Sequence, residues 1–253
     1  MITERMLADS FQDFWKELLP LLTPSCVHLL NRGYGMHLLN EYGVALAPVE
    51  SREQTRDSAV VSEFAYHLAK EAFSLSLSVQ DAFNDNDECN KAQSRAVGLV
   101  NMYEGASVPP DMVLNVAELE EGLELALRYE AFVRHFGSAE RCIFQIPIQG
   151  AGFLRACEAD MAIGDCLIEI KTVKRSLAGK DIRQLIIYLA LSAASKKTIW
   201  QHAGFFNPRR ASYHKFRTTE LIELLSGGKS TVDVFAELID FICSSDVQLD
   251  STF

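Results

Sequence analysis

Glu158-Ala-Asp-Met-Ala-Ile-Gly-Asp-Cys-Leu-Ile-Glu-Ile-Lys171 is the stretch on which the reading of this chain turns. Gly164-Asp165 separates two apolar runs, and a short Gly/Asp insert between apolar runs signals a hairpin. Asp160 lies on the first strand of that hairpin, and Glu169 and Lys171 lie late on the second. Side chains two apart on a strand share a face. Glu169 and Lys171 therefore project together with Leu167, while Ile168 and Ile170 point the other way. Two carboxylates on paired strands with an ammonium beside them suit a hard divalent cation, and Mg²⁺ favours one or two carboxylates completed by water and phosphate oxygens. The plain alternative is a surface charge pair on a hairpin. Asp165 also competes as an acid, but turn chemistry accounts for it.

Downstream, Lys180 to Ala194 has the length and apolar content of a buried helix, and Gln184 and Tyr188 lie one turn apart on one face. Asp160-x8-Glu169-x-Lys171 followed by Gln184-x3-Tyr188 resembles the PD-(D/E)XK nuclease superfamily, in its RecB and lambda-exonuclease-like branch. The resemblance spans Leu123 to Phe216. The proline of the family's name is absent, since Ala159 precedes Asp160. A bare Glu-x-Lys carries no weight alone; the upstream Asp, the hairpin and the Gln/Tyr helix in order carry it.

The resemblance implies an α/β fold with a restriction-endonuclease-like αβββαβ core and a mixed sheet. It implies a Mg²⁺-dependent deoxyribonuclease, with Mn²⁺ able to substitute. Asp160 and Glu169 would hold the cation, with the Ile170 carbonyl as a further ligand. Lys171 would position or help deprotonate the attacking water, though a cation lowers the pKa of a water it holds, so Lys171 need not be the base. Gln184 and Tyr188 would contact the substrate strand and brace the site; core packing is the alternative for Tyr188. Family members often add a glutamate from the helix before the first strand. Glu130 is the candidate, with Glu121 and Glu124 as rivals. Some branch members carry an iron–sulfur cluster on a tight C-terminal cysteine group, which is missing here, so no cluster is expected. The implied partners are DNA and a helicase or ATPase, in antiviral defence or in recombination and repair. Homo-oligomerisation stays open. A catalytically silent module of the same fold and an RNA-directed nuclease are the competing functions.

The 253 residues suffice for one large domain or two small ones. No apolar run reaches membrane-span length, and Met1-Ile-Thr-Glu-Arg lacks a signal core, so a cytoplasmic protein that does not enter membranes is expected. The six cysteines form no CxxC pair, which argues against zinc and for buried thiols. Net charge is −10 but unevenly spread. Lys171 to Arg217 holds eleven Lys/Arg against one acid, Asp181, a balance of +10, so the remainder, 13 bases against 33 acids, carries −20. A basic segment beside the acidic motif fits phosphate tracking. Lys174, Arg175, Lys180, Tyr188, Arg209 and Arg210 are the candidate nucleic-acid contacts, with His214 and Lys215 near the last two. A surface turn with spare charge explains Arg209 and Arg210 equally well. The acidic remainder weakens non-specific binding to nucleic acid and favours help from a second protein.

Punctuation and period divide the rest. Residues 1–25 read as one helix, 57–83 as a second and 89–103 as a third, with 26–56 mixed. Gly105 to Asp111, with Pro109-Pro110, is the clearest linker. It sets a soft boundary between a mostly helical lobe, 1–108, and a nuclease-like core, 109–253. A helix at 112–137, strands at 141–148, 153–163 and 166–171, the Gln/Tyr helix, strands at 198–206 and 212–216, and helices from 218 and 231 follow. The tail from Ser244 reads as frayed.

Overall fold

The computed structural model describes residues 1–104, 108–136, 141–195 and 198–244. Its centre is the expected hairpin: β3 (Cys157–Ile163) and β4 (Cys166–Ile170) are antiparallel, with Ile163 opposite Cys166. The two intervening residues are Gly164 and Asp165, and Gly164 takes φ 61°, the left-handed conformation that glycine adopts without steric cost. β2 (Cys142–Ile148) pairs antiparallel on the outer side of β3. α8 (Gly179–Ala194) then crosses over to β5 (His202–Asn207), which runs parallel to β4, and β6 (Ser212–Arg217) returns antiparallel to β5. β1 (Gly35–His37) closes the far edge against β6. The result is an α/β fold with a mixed six-stranded sheet in the order β1-β6-β5-β4-β3-β2.

Helices cover both faces, as a sheet that is apolar on both sides requires. On one face, Leu167, Ala162, Ala203, Phe205 and Phe216 pack under α8, with α1 (Glu4–Asp9), α2 (Gln12–Leu18), α3 (Pro24–Gly33), α9 (Thr218–Ser226) and α10 (Thr231–Cys243) in the same layer. On the other, Met161, Ile163, Ile168 and Phe206 meet Tyr129, Phe132 and Val133 of α7 (Val116–Phe136). The Phe132 and Phe206 rings stack at 4.2 Å between centroids. Behind α7, α4 (Ser58–Ser74), α5 (Val79–Asn84) and α6 (Asn86–Glu104) build a further apolar cluster that includes Val108, Leu114, Leu125 and Ala126.

Several boundaries differ from the sequence reading. The first helix is three short ones: Phe11 adopts φ 52° between α1 and α2, where its ring packs near Phe241 and Phe153 at 5.4 and 6.1 Å. The second is split at Ser76, φ 55°, into α4 and α5. The mixed segment supplies the edge strand β1 and a Leu39–Ala45 bridge, so the N-terminal half is helical with one strand. The strand expected from 153 starts at Cys157 because Phe153 and Leu154 turn to meet Ile242 and Ala151. The strand expected at 198–206 starts at His202. Linker residues 105–107 and the tail from 245 lie outside the described residues.

Candidate functional site

The β3–β4 ladder runs as far as Met161 opposite Ile168, and the next pair towards the open end of the hairpin is Asp160 and Glu169. Here backbone pairing gives way to side-chain pairing: Asp160 Oδ2 accepts from the Ile170 amide at 2.7 Å. On the outer side the β2–β3 register skips Gln145, which sits at φ 54° opposite Asp160. The Tyr66 hydroxyl of α4 donates to the Asp160 carbonyl at 2.7 Å. Asp160 is thus fixed from two sides at a local interruption of the sheet.

Glu169 is 1% exposed. Its Oε1 accepts from Lys171 Nζ at 2.8 Å, while its buried Oε2 has no hydrogen-bond partner among the described residues. The same ammonium donates to Gln184 Oε1 at 2.8 Å. Gln184 Nε2 donates to the Tyr188 hydroxyl at 2.9 Å, and that hydroxyl donates to Glu4 Oε1 at 3.4 Å. A relay of side chains therefore runs from β4 along α8 to α1. Asp181, in the first turn of α8, takes a bidentate pair from Arg175 at 2.5 and 2.9 Å and a hydrogen bond from the Ala178 amide at 2.8 Å. It lies 3.9 Å from Lys171 Nζ.

The electrostatics follow from this crowding. Burial and then the Glu169 carboxylate push Asp160 well above its ordinary value; Lys171, the Ile170 amide and Arg5 offset only part of this. Burial opposes the Lys171 charge, but Glu169, Asp160 and Asp181 outweigh it and raise its pKa. Burial likewise opposes ionisation of Asp181, and the Arg175 hydrogen bonds, the Ala178 amide and Lys171 hold it below its ordinary value.

The chain matches no known family model, and no curated protein is significantly similar to it.

Glu169, Lys171 and Gln184 are joined by hydrogen bonds, and Asp160, at the adjoining register position, accepts from the Ile170 amide. Other candidates are placed differently. Tyr188 is 2% exposed and its hydroxyl is turned to Gln184 and Glu4, so it braces the relay and offers no face to a nucleic-acid strand. Arg209 is 3% exposed and pairs with buried Glu121 at 2.8 Å, which removes both from solvent. Glu121 also accepts from the Thr55 hydroxyl and the Arg52 amide, so it anchors the 49–56 segment. Glu130 turns to Arg134 at 2.7 Å and the Val79 amide at 3.4 Å, not to Asp160. Glu124 pairs with Arg128. None of the three upstream glutamates reaches the carboxylate pair. Lys174 and Lys180 are exposed but meet Glu50 and Asp9, at 3.1 and 3.4 Å. Arg210 is half-buried and donates to the Lys174 carbonyl at 3.0 Å. Of the thiols, Cys89 and Cys166 are buried, and Cys243 is exposed, contrary to the expectation of uniformly buried cysteines.

Residues that sequence reasoning passed over complete the site. Glu4 and Arg5 arrive on α1, far from the motif in sequence. Burial works against the Arg5 charge, yet Glu169 and Asp160 more than compensate and raise its pKa. Its guanidinium lies 5.8 Å from the centre of the Tyr103 ring. No local signal marks either residue; only the packing of α1 on α8 brings them in. Asp181 was counted as the lone acid of the basic segment, a signal that could have flagged it.

Among the described residues no three His, Cys, Asp or Glu side chains converge as a metal-ligand set. Two carboxylates still meet what Mg²⁺ asks of a protein, because waters and substrate oxygens fill its other positions. The unpartnered Glu169 Oε2 and the raised pKa of Asp160 both mark a site where a cation would relieve crowded negative charge. The donor set is hard oxygen, which suits Mg²⁺ or Mn²⁺.

Proposed function

We propose that this protein is a metal-dependent nuclease that hydrolyses DNA phosphodiester bonds, built on a restriction-endonuclease-like core of the PD-(D/E)XK type. The supporting observation is the Asp160–Glu169 pair, with its orphaned Glu169 Oε2 and the Lys171 ammonium 2.8 Å from the other oxygen. The order α7-β2-β3-β4-α8-β5 agrees with such a core. Asp160, Glu169 and the Ile170 carbonyl would hold Mg²⁺. When bound, the cation supplies charge neutralisation at phosphorus and a more acidic attacking water.

The chain's own groups do the rest. Lys171 stays protonated, pinned between Glu169 and Gln184, and presents fixed positive charge where negative charge develops. Gln184 holds that ammonium through its carbonyl oxygen, and the Tyr188 hydroxyl fixes the amide by accepting a hydrogen bond from its Nε2. Arg5 adds a second cation on the α1 side. The strong acidity outside Lys171–Arg217 favours work beside a helicase or ATPase that delivers DNA, in defence or in recombination and repair.

Cleavage of labelled single-stranded, duplex and circular DNA, and of RNA in parallel, with Mg²⁺ or Mn²⁺ tests this. The wild type should cut DNA only with the cation, and Lys171→Ala should lose at least about a hundredfold. Equal cleavage by both proteins, or none by the wild type with any substrate, would refute it. Cleavage confined to RNA would reassign the substrate.

A further inference from the structure

Tyr103 is an exposed aromatic beside the carboxylate site that the chemistry described above does not use. It lies in the last turn of α6 and is 60% exposed. Among the described residues it belongs to none of the three apolar clusters, so core packing does not account for it. The Arg5 guanidinium lies over its ring, 5.8 Å from the centre. A guanidinium within about 6 Å of a ring centre is attracted to the ring face. Arg5 Nε stands 3.8 Å from Glu4 Oε1, and Glu4 ends the relay that runs through Tyr188 and Gln184 to Lys171. A continuous series of contacts thus leads from the Tyr103 ring to the ammonium beside Glu169. Glu169 and Asp160 also act on the Arg5 charge, so the ring lies on the same side of the molecule as the carboxylate pair.

A second guanidinium lies on this flank. Arg155 is exposed, and its amide donates to the Ile2 carbonyl at 3.1 Å, just before α1 begins. Burial, then Glu4 and Glu169, push the Cys157 thiol up to about 12 while Arg155 opposes them, so these groups are neighbours. Sites for single strands combine cations that meet the phosphates with aromatic rings on which bases stack. A base inside a duplex already has a neighbour on each face. Only an unpaired base is free to lie on an exposed ring such as Tyr103.

We propose that Tyr103 is a stacking platform for an unpaired base and makes single-stranded DNA the preferred substrate of the adjoining carboxylate site. The identity of the ligand rests on the nuclease reading. Arg5 orients the ring, and Arg155 meets the phosphates of the same strand. Tyr103 sets specificity and touches no reacting atom.

Binding without turnover separates the platform from the nuclease. Full-length protein carrying Asp160→Asn is titrated, by fluorescence anisotropy, with a single-stranded oligonucleotide, its duplex and an abasic single strand of equal length. The abasic strand keeps the phosphates and removes the bases. The intact single strand should bind at least about tenfold tighter than either other form, which is about what one base stacked on an aromatic ring supplies. Adding Tyr103→Ala should remove that advantage. Tyr103→Trp should keep it, and its added indole fluorescence should be quenched by the intact strand and not by the abasic one. Arg155→Ala should weaken the intact and abasic strands equally, as loss of a phosphate contact does. Thermal melts report that the variants are folded. Equal binding of intact and abasic strands, or an advantage that survives Tyr103→Ala, would overturn the platform even if the wild type cleaves DNA. Duplex bound as tightly as the single strand would overturn the substrate preference. Tyr103-dependent binding of single strands by a wild type that cleaves nothing would keep the platform and remove the nuclease.

Discussion

Asp160 and Glu169 were readable because a two-residue turn fixes the register around it, and the register fixes which side chains meet. Gln184 followed from helical spacing. Tyr188 and Arg209 are buried for one reason that local sequence does not carry: their partners, Glu4 and Glu121, lie 184 and 88 positions away. A tyrosine or arginine that looks exposed in sequence is buried once such a partner exists. The Arg209–Glu121 pair gives a stability prediction. Breaking a buried ion pair strands the other charge and costs about 3–5 kcal/mol. Arg209→Ala should therefore destabilise the fold by about that much in chemical denaturation, and Arg209→Met with Glu121→Gln should recover part of it. Arg5 gives a functional one. Exposed to solvent but coupled to both carboxylates, it should matter for turnover and not for folding. Arg5→Ala should lower kcat/KM for DNA about tenfold with an unchanged melting temperature, and Arg5→Lys should restore part of the loss.

The hairpin, the Gln/Tyr helix and the last helix were legible because each carries its own local signals. Ser230 shows how far such signals reach. Its side chain accepts from the Asp233 amide at 3.2 Å and caps α10, whose start at Thr231 matches the expected one. Ser230→Ala should cost about 1 kcal/mol, read as a lower melting temperature. The first helix was misread because its apolar period continues through Phe11 while the backbone does not. Aromatic packing against Phe153 and Phe241 decides that break, and neither ring is near in sequence. β1 was invisible for a related reason. Three residues carry no period, and only pairing with β6 makes them a strand.

Taken together, the charges tell a different story from their sum along the sequence. Among the described residues five of the segment's eleven bases meet acids from the remainder: Lys171 meets Glu169, Lys174 meets Glu50, Lys180 meets Asp9, Arg209 meets Glu121 and Arg217 meets Glu220. The basic segment expected from the sequence thus carries acids beside about half of its bases. Two buried histidines should add to the acid sensitivity of the fold. Burial, with Lys70 and Arg95 nearby, depresses His67 to about 4, and burial with Arg210 does the same to His214. Both folded-state values lie below the ordinary 6.5, so the unfolded chain takes up protons first. Stability should be complete above about pH 6.5 and fall as the pH drops towards 4, by at most about 3 kcal/mol for each histidine. His67→Phe should flatten that decline in pH-dependent melts; an unaltered slope would remove His67 as a cause. The central claim is that Asp160 and Glu169 share one divalent cation, and calorimetric titration with Mn²⁺ tests it most directly. The wild type should bind one ion that Mg²⁺ displaces, and Asp160→Asn and Glu169→Gln should each abolish that binding. Mn²⁺ binding that survives both substitutions, or a wild type that binds none, would contradict it.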